Sequence, residues 1–220
     1  MIMYELPLFP LRTVLFPGQT LPLHIFEPRY RQMIADCLQT DRIFGVVLIR
    51  KGLEVGGPAK PYEVGTTARI QDVERLSDGR MNIVTVGHER FRIQDYSTED
   101  RPYLVGRVSP WPWSDDSIMD PELGRAVQQR LDRYINLFAQ ASDADIHVDF
   151  SPQHPATLAV LAAVVLQVAP EQKQALLEIP SVDELLRHVN RLLRQENRAL
   201  QIMLASSHPQ DETEHPFSQN

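Results

Sequence analysis

Apolar and polar residues alternate in short runs through the first half of the chain. Leu21, Leu23 and Ile25 alternate with more polar neighbours, and residues 64–70 repeat this pattern. Such period-two alternation predicts strands with one buried face. Residues 43–49 are apolar throughout, which is typical of a strand buried on both faces. Further strands are predicted at residues 81–86, 91–93 and 103–108.

The first thirty residues interleave apolar side chains with prolines. Proline lacks a backbone donor, so this region is expected to form edge strands and turns rather than central strands. From Pro28 the period changes to that of a helix, because proline suits the first turn. The expected buried face of that helix consists of Tyr30, Met33, Ile34, Cys37 and Leu38.

Turn, loop and strand-breaking signals lie between the predicted strands. Asp78 and Gly79 predict a tight hairpin turn, since this pair readily adopts positive φ. Residues 50–62 contain three glycines and two prolines, which predicts a loop. Gly87 and the two polar residues after it are expected to interrupt the strand that follows the hairpin.

The pattern becomes helical after residue 113. Asp120 and Pro121 can begin a helix whose apolar stripe continues to Phe138, and residues 155–169 are apolar on all sides, as in the middle of a bundle. A short helix is predicted over residues 170–178. Ser181 and Glu184 form a capping box that opens the last helix.

These elements predict an α+β protein, with strands first and helices second. Six or more short strands with frequent turns suggest a small barrel or sandwich. The expected divisions are a β-rich unit with one short helix at residues 1–112, a helical bundle at 113–206 and a disordered tail at 207–220.

Charge and cysteine content narrow the function classes. The 220 residues carry a net charge of −7, with +1 in residues 1–110 and −8 in residues 111–220. An acidic second half argues against wrapping nucleic acid, which needs a basic face. Cys37 is the single cysteine, so no internal disulfide or cysteine-cluster metal site can form. No secretory signal or membrane span is apparent, which predicts a cytoplasmic protein.

Several short motifs together resemble one known family. They are Pro-Leu-Phe-Pro-Leu at residues 7–11, Leu-Phe-Pro-Gly at 15–18, Phe-Glu-Pro-Arg-Tyr at 26–30, Phe-Gly-Val-Val at 44–47, Val-Gly-Thr-Thr-Ala-Arg-Ile at 64–70, Asp-Gly-Arg at 78–80 and Gly-His-Glu-Arg-Phe-Arg-Ile at 87–93. A looser match extends through 171–178. The set resembles the amino-terminal substrate-binding domain of the ATP-dependent protease Lon, up to about Leu204.

The resemblance implies a PUA-like open β-barrel of about six strands followed by a helical bundle. It also implies a non-catalytic module that binds unfolded or tagged polypeptides, working with a separate protease or chaperone as an adaptor or a regulator. PUA-like barrels often bind RNA, so a nucleic-acid or nucleotide-binding protein is the alternative. An unrecognised hydrolase is a second alternative.

Signs of catalysis or of a bound cofactor are missing from the sequence. No Gly-x-x-x-x-Gly-Lys-Ser/Thr motif is present to hold ATP phosphates, and no lysine lies in a recognisable serine-hydrolase motif. His147, Asp149 and His154 match no strong zinc spacing, so a polar loop is favoured over a metal site. We therefore expect no enzyme activity, no cofactor and no metal.

Arginines supply one set of candidate binding residues. Arg29 follows Glu27 at the start of the first helix, where it either contacts a ligand or pairs with an acid on a nearby strand; the structural interpretation is favoured. Arg90 and Arg92 alternate with apolar residues, so both are expected on one face of their strand. They can hold a substrate carboxylate or form a solvated sheet face, and the latter is more common.

Aromatic and apolar residues supply a second set. Trp111 and Trp113 flank Pro112, and an extended backbone there places both rings on one side. They either fill the junction between strands and helices, which is favoured, or form a binding surface. Leu15 and Phe16 are candidates for an exposed apolar patch that a peptide-binding domain would use.

Overall fold

The computed structural model describes residues 2–54, 59–114, 120–142 and 154–207. Seven strands and five helices occur within these residues. Their bounds are β1 Tyr4–Leu11, β2 Thr20–Ile25, α1 Pro28–Leu38, β3 Ile43–Gly52, β4 Ala59–Pro61, β5 Val64–Arg75, β6 Met81–Ser97, β7 Leu104–Pro110, α2 Pro121–Ser142, α3 Pro155–Val165, α4 Pro170–Leu177 and α5 Val182–Ser207. The predicted α+β organisation is confirmed.

Five strands form a ring of pairings. In order they are β1, β7, β6, β5 and β3, and the ring closes because β3 pairs with β1 in parallel. The other four contacts in the ring are antiparallel. β2 pairs with β6 outside the ring, and β4 pairs with β3. The short β4 lies inside the segment that was predicted to be a loop. Pairing with β3 stabilises a strand there despite the glycines and prolines.

Strand β1 changes partner at Leu8. Residues 4–8 pair with β7, and residues 8–11 pair with β3. Each half therefore has one neighbour, and each half contains one proline, Pro7 or Pro10. A proline fits such a half strand because its missing N–H can face the unpaired side. The predicted edge character of this segment is confirmed for each half separately.

Helix α1 begins at the predicted residue, and most of its predicted inner face is buried. Pro28 occupies the first turn, and Tyr30, Met33, Ile34 and Cys37 are buried against the sheet. Desolvation raises the pKa of the Cys37 thiol to about 12, which leaves it an inert core residue. The hairpin turn is also confirmed, since Gly79 has a φ of +81° between β5 and β6.

The predicted interruption at Gly87 is wrong. Strand β6 runs without a break from Met81 to Ser97, and its pairing with β5 only shifts register there. The Thr67 hydroxyl accepts a hydrogen bond from the Glu89 N–H at 2.9 Å and donates one to the Glu89 carbonyl at 3.2 Å. The side chain thus satisfies the backbone groups that the bulge releases.

The helices pack on one side of the sheet. Helices α2, α3 and α5 contact one another, and α4 contacts α3 and α5. Their shared core also includes Val14, Phe16, Leu48 and Val64 from the strand region. The boundary at residue 112 stays a prediction. Of the predicted tail, Ser207 ends α5 and residues 208–220 lie outside the described residues.

Lys173, in the first turn of α4, has no carboxylate partner in the part of the chain that the structure describes. Lys173 donates a hydrogen bond to the carbonyl of Val164 at 2.5 Å, near the end of α3. Burial lowers the pKa of Lys173 to about 8. The folded state therefore favours the neutral amine relative to the unfolded chain.

We predict that substituting Gly87 by alanine destabilises the fold. A Cβ at Gly87 would lie 2.2 Å from the backbone oxygen of Phe16, and backbone cannot move aside cheaply. We expect Gly87→Ala to lose about 2 kcal/mol in urea unfolding. His88→Ala, at an exposed neighbouring position, should lose less than about 0.5 kcal/mol. Equal losses in the two variants would contradict the packing explanation.

Lys173 should make stability rise with pH. Between about pH 8 and about pH 10 the unfolded chain keeps a proton on this lysine that the folded protein has released, so folding is favoured as pH increases. Urea unfolding of wild type and Lys173→Met across this window should give diverging stabilities, with wild type gaining relative to the variant. Parallel curves would show that Lys173 does not titrate differently in the two states.

Candidate functional site

An arginine–tryptophan stack joins the sheet to the helices. The Arg90 guanidinium lies 3.7 Å from the ring centre of Trp113 and 4.4 Å from that of Trp111. The guanidinium of Arg92 lies 4.3 Å from the centre of the Trp111 ring. The predictions that both arginines share one face and that both tryptophans share one side are therefore confirmed.

Arg90 also caps the end of α4. Its Nη1 donates hydrogen bonds to the carbonyls of Leu177 and Ile179, at 2.6 and 2.8 Å. Leu177 is the last residue of α4, where carbonyls lack helical partners and a cation is favourable. The residue is only 2% exposed, and burial, followed by the charge of Arg92, lowers the pKa of Arg90 to about 9.

The favoured expectation of a solvated sheet face is wrong for Arg90, which is buried, and this burial favours one of the two interpretations of the tryptophans. No carboxylate forms an ion pair with Arg90 in the described part of the chain, so its charge is balanced by two carbonyls and two aromatic faces. The half-buried tryptophans pack against the helical core. These contacts support the junction role, and they leave Arg92 as the accessible arginine of the pair.

The expected exposed patch at Leu15 and Phe16 is wrong. Leu15 is 1% exposed and Phe16 is fully buried. The carbonyl of Leu15 accepts a hydrogen bond from the Thr66 hydroxyl at 2.6 Å, which ties the segment to β5. Both side chains point into core clusters because the turn after them folds back onto Gly87.

Arg29 pairs with Glu27, two residues before it. The two side chains form an ion pair with a distance of 3.0 Å between Arg29 Nη2 and Glu27 Oε2. The Arg29 guanidinium also lies over the Tyr30 ring at 4.5 Å. Arg29 lines a cleft, so part of the side chain remains at a surface where a ligand can reach it.

A cleft opens beside the first half of β1. It has a volume of about 1010 Å³ and lies where residues 4–7 of β1 have no pairing with β3. Three arginines line it, Arg69, Arg101 and Arg107, against seven carboxylates. The carboxylates are Glu5, Asp36, Asp41, Glu89, Asp95, Glu99 and Asp100. The lining therefore has a net charge of −4, and we name this surface the acidic cleft.

A second cleft opens beside the other half of β1. Its volume is about 640 Å³, and it lies near Pro10, where β1 no longer pairs with β7. Its charged lining residues are Arg29, Lys51, Lys60 and Glu99. We name it the lysine cleft. Its lining shares four residues with the acidic cleft, so the two clefts are adjacent: Tyr96, Ser97, Glu99 and Tyr103.

Neither a metal centre nor a membrane span is found in the described residues. They contain no cluster of three histidine, cysteine, aspartate or glutamate side chains arranged to hold an ion. His147 and Asp149, two of the three candidate ligands, lie outside the described residues. None of the helices in the described ranges combines the length and apolar character that a bilayer span requires.

Comparison with known proteins identifies the family. Residues 5–195 match the family model of the ATP-dependent protease La (LON) substrate-binding domain. The chain belongs to this family. It is 31% identical over 201 residues to Lon protease 2 of Myxococcus xanthus, and 33% identical over 205 residues to Lon protease 1 of Thermus thermophilus. These alignments cover 90% and 86% of the chain, but 24% of each relative, so the chain spans about a quarter of their length.

Solved LON domains have the same fold. A Lon N-terminal domain protein from Xanthomonas campestris superimposes with a TM-score of 0.65 at 32% identity, covering 87% of this chain and 98% of that one. The N-terminal domain of Lon from Mycobacterium avium complex gives the same TM-score and coverage at 20% identity, which supports the fold alone. The resemblance inferred from the sequence motifs is thereby confirmed.

Sequence reasoning missed the residues that line the clefts. Tyr96, Lys51 and Lys60 belong to three strands and meet only because of the ring pairing. One signal was available, because the chain contains only three lysines and two of them flank the glycine-rich segment after β3. Composition marks them as unusual without showing that they share a surface.

We predict that Arg90 stabilises the junction and that Arg92 does not. Arg90→Met leaves two carbonyls at the end of α4 without their donor, and we expect a loss of about 2 kcal/mol in urea unfolding. Arg92→Met removes a similar side chain from the exposed end of the same stack and should cost less than about 1 kcal/mol. A larger loss for Arg92→Met would contradict this assignment.

Proposed function

We propose that this protein is a substrate-recognition module that binds unfolded or tagged polypeptide and has no catalysis of its own. The observation that supports this most directly is the family match, which covers residues 5–195 and concerns the substrate-binding domain. The ring of five strands packed on helices is consistent with the PUA-like barrel that the resemblance implies. A cytoplasmic location, and cooperation with a separate protease or chaperone, are part of the same proposal.

The proposed binding surface consists of the two adjacent clefts, one on each side of β1. Together they provide an open groove lined by strand ends, carboxylates and tyrosines, which suits an extended chain better than a compact small molecule. Tyr96 is 38% exposed and lines both clefts, so it is a natural aromatic contact for a bound polypeptide.

The nucleic-acid alternative has less support. The acidic cleft has a net charge of −4, and a phosphate backbone bound across the groove would meet this repulsion. Arg90, one of the candidate binding residues, is buried in the junction. No observation favours a nucleotide over a polypeptide at these clefts.

Binding to a permanently unfolded protein tests the proposal. An alkylated, disulfide-free polypeptide labelled with a fluorophore should raise anisotropy when titrated with the wild-type protein, whereas its native, disulfide-bonded form should not. We expect Tyr96→Ser to weaken this binding about three- to tenfold, because exposed aromatics at the centre of a groove contribute strongly.

Phe26→Ser serves as the matched control. Phe26 is a similarly exposed aromatic, at 47%, and lines neither cleft. Its substitution should leave affinity within about twofold of wild type. If wild type does not bind the unfolded polypeptide, the proposed function fails. If Phe26→Ser weakens binding and Tyr96→Ser does not, the function stands but the surface is wrong.

A further inference from the structure

Two lysines face each other at the mouth of the lysine cleft. Lys51 on β3 is the register partner of Lys60 on β4, and both are exposed. Like charges directly opposite in an antiparallel pair repel, so this arrangement reduces the stability of the β3–β4 pairing. The chain has 22 basic residues of which only three are lysines, and two of these form this pair.

Within the described ranges of the chain, no acidic side chain neutralises the pair. Neither lysine forms an ion pair or side-chain hydrogen bond in the described residues. The connecting residues 55–58 are Val-Gly-Gly-Pro, which have no ionisable side chain. Arg29 is paired with Glu27, and Glu99 is the one carboxylate among the described residues that line the cleft. With the Arg29–Glu27 pair counted as neutral, the two ammonium groups and Glu99 give the cleft a net charge of +1.

The remaining lining of the cleft is largely apolar and aromatic. It includes Pro10, Tyr30, Pro102, Tyr103 and Leu104 with the exposed ring of Tyr96, and it is completed by Gly52, Ala59, Ser97 and Thr98. Such a lining takes an apolar or aromatic side chain, and the ammonium groups beside it can hold carboxylates. A volume of about 640 Å³ accommodates a few residues of an extended chain.

We propose that the lysine cleft binds an acidic stretch of polypeptide that carries an apolar or aromatic side chain beside its carboxylates. This proposal rests on the proposed function and gives the bound chain a charge preference. The acidic cleft continues from the same four residues with a net charge of −4. A bound polypeptide therefore lies with its acidic part at Lys51 and Lys60 and any basic part towards Asp95 and Asp100.

Charge complementarity favours polypeptide over nucleic acid as the occupant. A polypeptide with carboxylates and a nucleic acid strand would each pair with the two ammonium groups and contact a tyrosine ring. A polypeptide can change from acidic to basic or neutral residues at the boundary between the clefts, whereas a nucleic acid strand carries a phosphate at every step. The strand would thus place negative charge along the seven carboxylates of the acidic cleft.

Three labelled peptides of equal length test the preference. Each carries the same two phenylalanines, with aspartate and glutamate in one peptide, asparagine and glutamine in the second, and lysine and arginine in the third. We expect the wild-type protein to bind the acidic peptide about three- to tenfold more tightly than the neutral one. The difference should shrink when salt rises from about 0.05 M to about 0.5 M.

Charge reversal at the lysines supplies the decisive variant. K51E/K60E should lose the preference for the acidic peptide and bind the basic peptide at least about threefold more tightly than wild type does. R191E/R194E changes the net charge equally on the exposed face of α5, away from both clefts, and should retain the wild-type preference. Circular dichroism and thermal unfolding establish that each variant folds, and K51Q/K60Q replaces K51E/K60E if that variant does not.

The outcomes separate this inference from the proposed function. If wild type binds the alkylated polypeptide but treats the acidic and neutral peptides alike, this inference fails and the proposed function stands. Equal effects of K51E/K60E and R191E/R194E would overturn it as well, since the preference would then be a property of net charge. Tighter binding of a single-stranded oligonucleotide than of the acidic peptide would replace the polypeptide with nucleic acid. Failure to bind any unfolded chain would reject the proposed function itself.

Discussion

The change of partner along β1 is the constraint on which the clefts depend. Residues 4–8 of β1 pair with β7 and residues 8–11 pair with β3, and each half contains one proline, which lacks a backbone donor. This exchange closes the ring of five strands and at the same time leaves a gap on each side of β1. The acidic cleft occupies one gap and the lysine cleft the other. The closed ring and the two clefts therefore result from the same change of partner along β1.

A second interaction holds the helices to this ring. Arg90 reaches from β6 to the end of α4, and its charge is balanced by carbonyl groups and aromatic faces without a carboxylate. Gln174 adds a buried hydrogen bond from α4 to the carbonyl of Val64 on β5 at 3.0 Å. Polar contacts of this kind fix the position of a helix, whereas apolar packing alone would tolerate sliding. These contacts support a structural role for the junction, and Glu89 and Pro110, next to Arg90 and Trp111 in the chain, line the acidic cleft.

The charges of the two clefts provide a physical basis for the polypeptide recognition that we propose. A groove with a negative part and a positive part can select the direction and composition of an extended polypeptide, while its tyrosines supply affinity that does not depend on sequence. Of the candidate arginines, Arg90 lies in the junction, and Arg29, which lines the lysine cleft, pairs with Glu27. In the proposed mode of binding, charge selection depends on Lys51 and Lys60.

The sequence by itself determined the α+β organisation, helix α1 with its buried face, the hairpin at Gly79 and the family, because these depend on local periodicity, turn chemistry and short motifs. Only the tertiary structure decided that Leu15 and Phe16 are core, that β6 continues through Gly87, and that Lys51, Lys60 and Tyr96 share a surface. The physical reason is that burial and proximity follow from pairing between strands far apart in the chain. The identity of an apolar residue does not by itself indicate whether the residue lies in the core or at a surface.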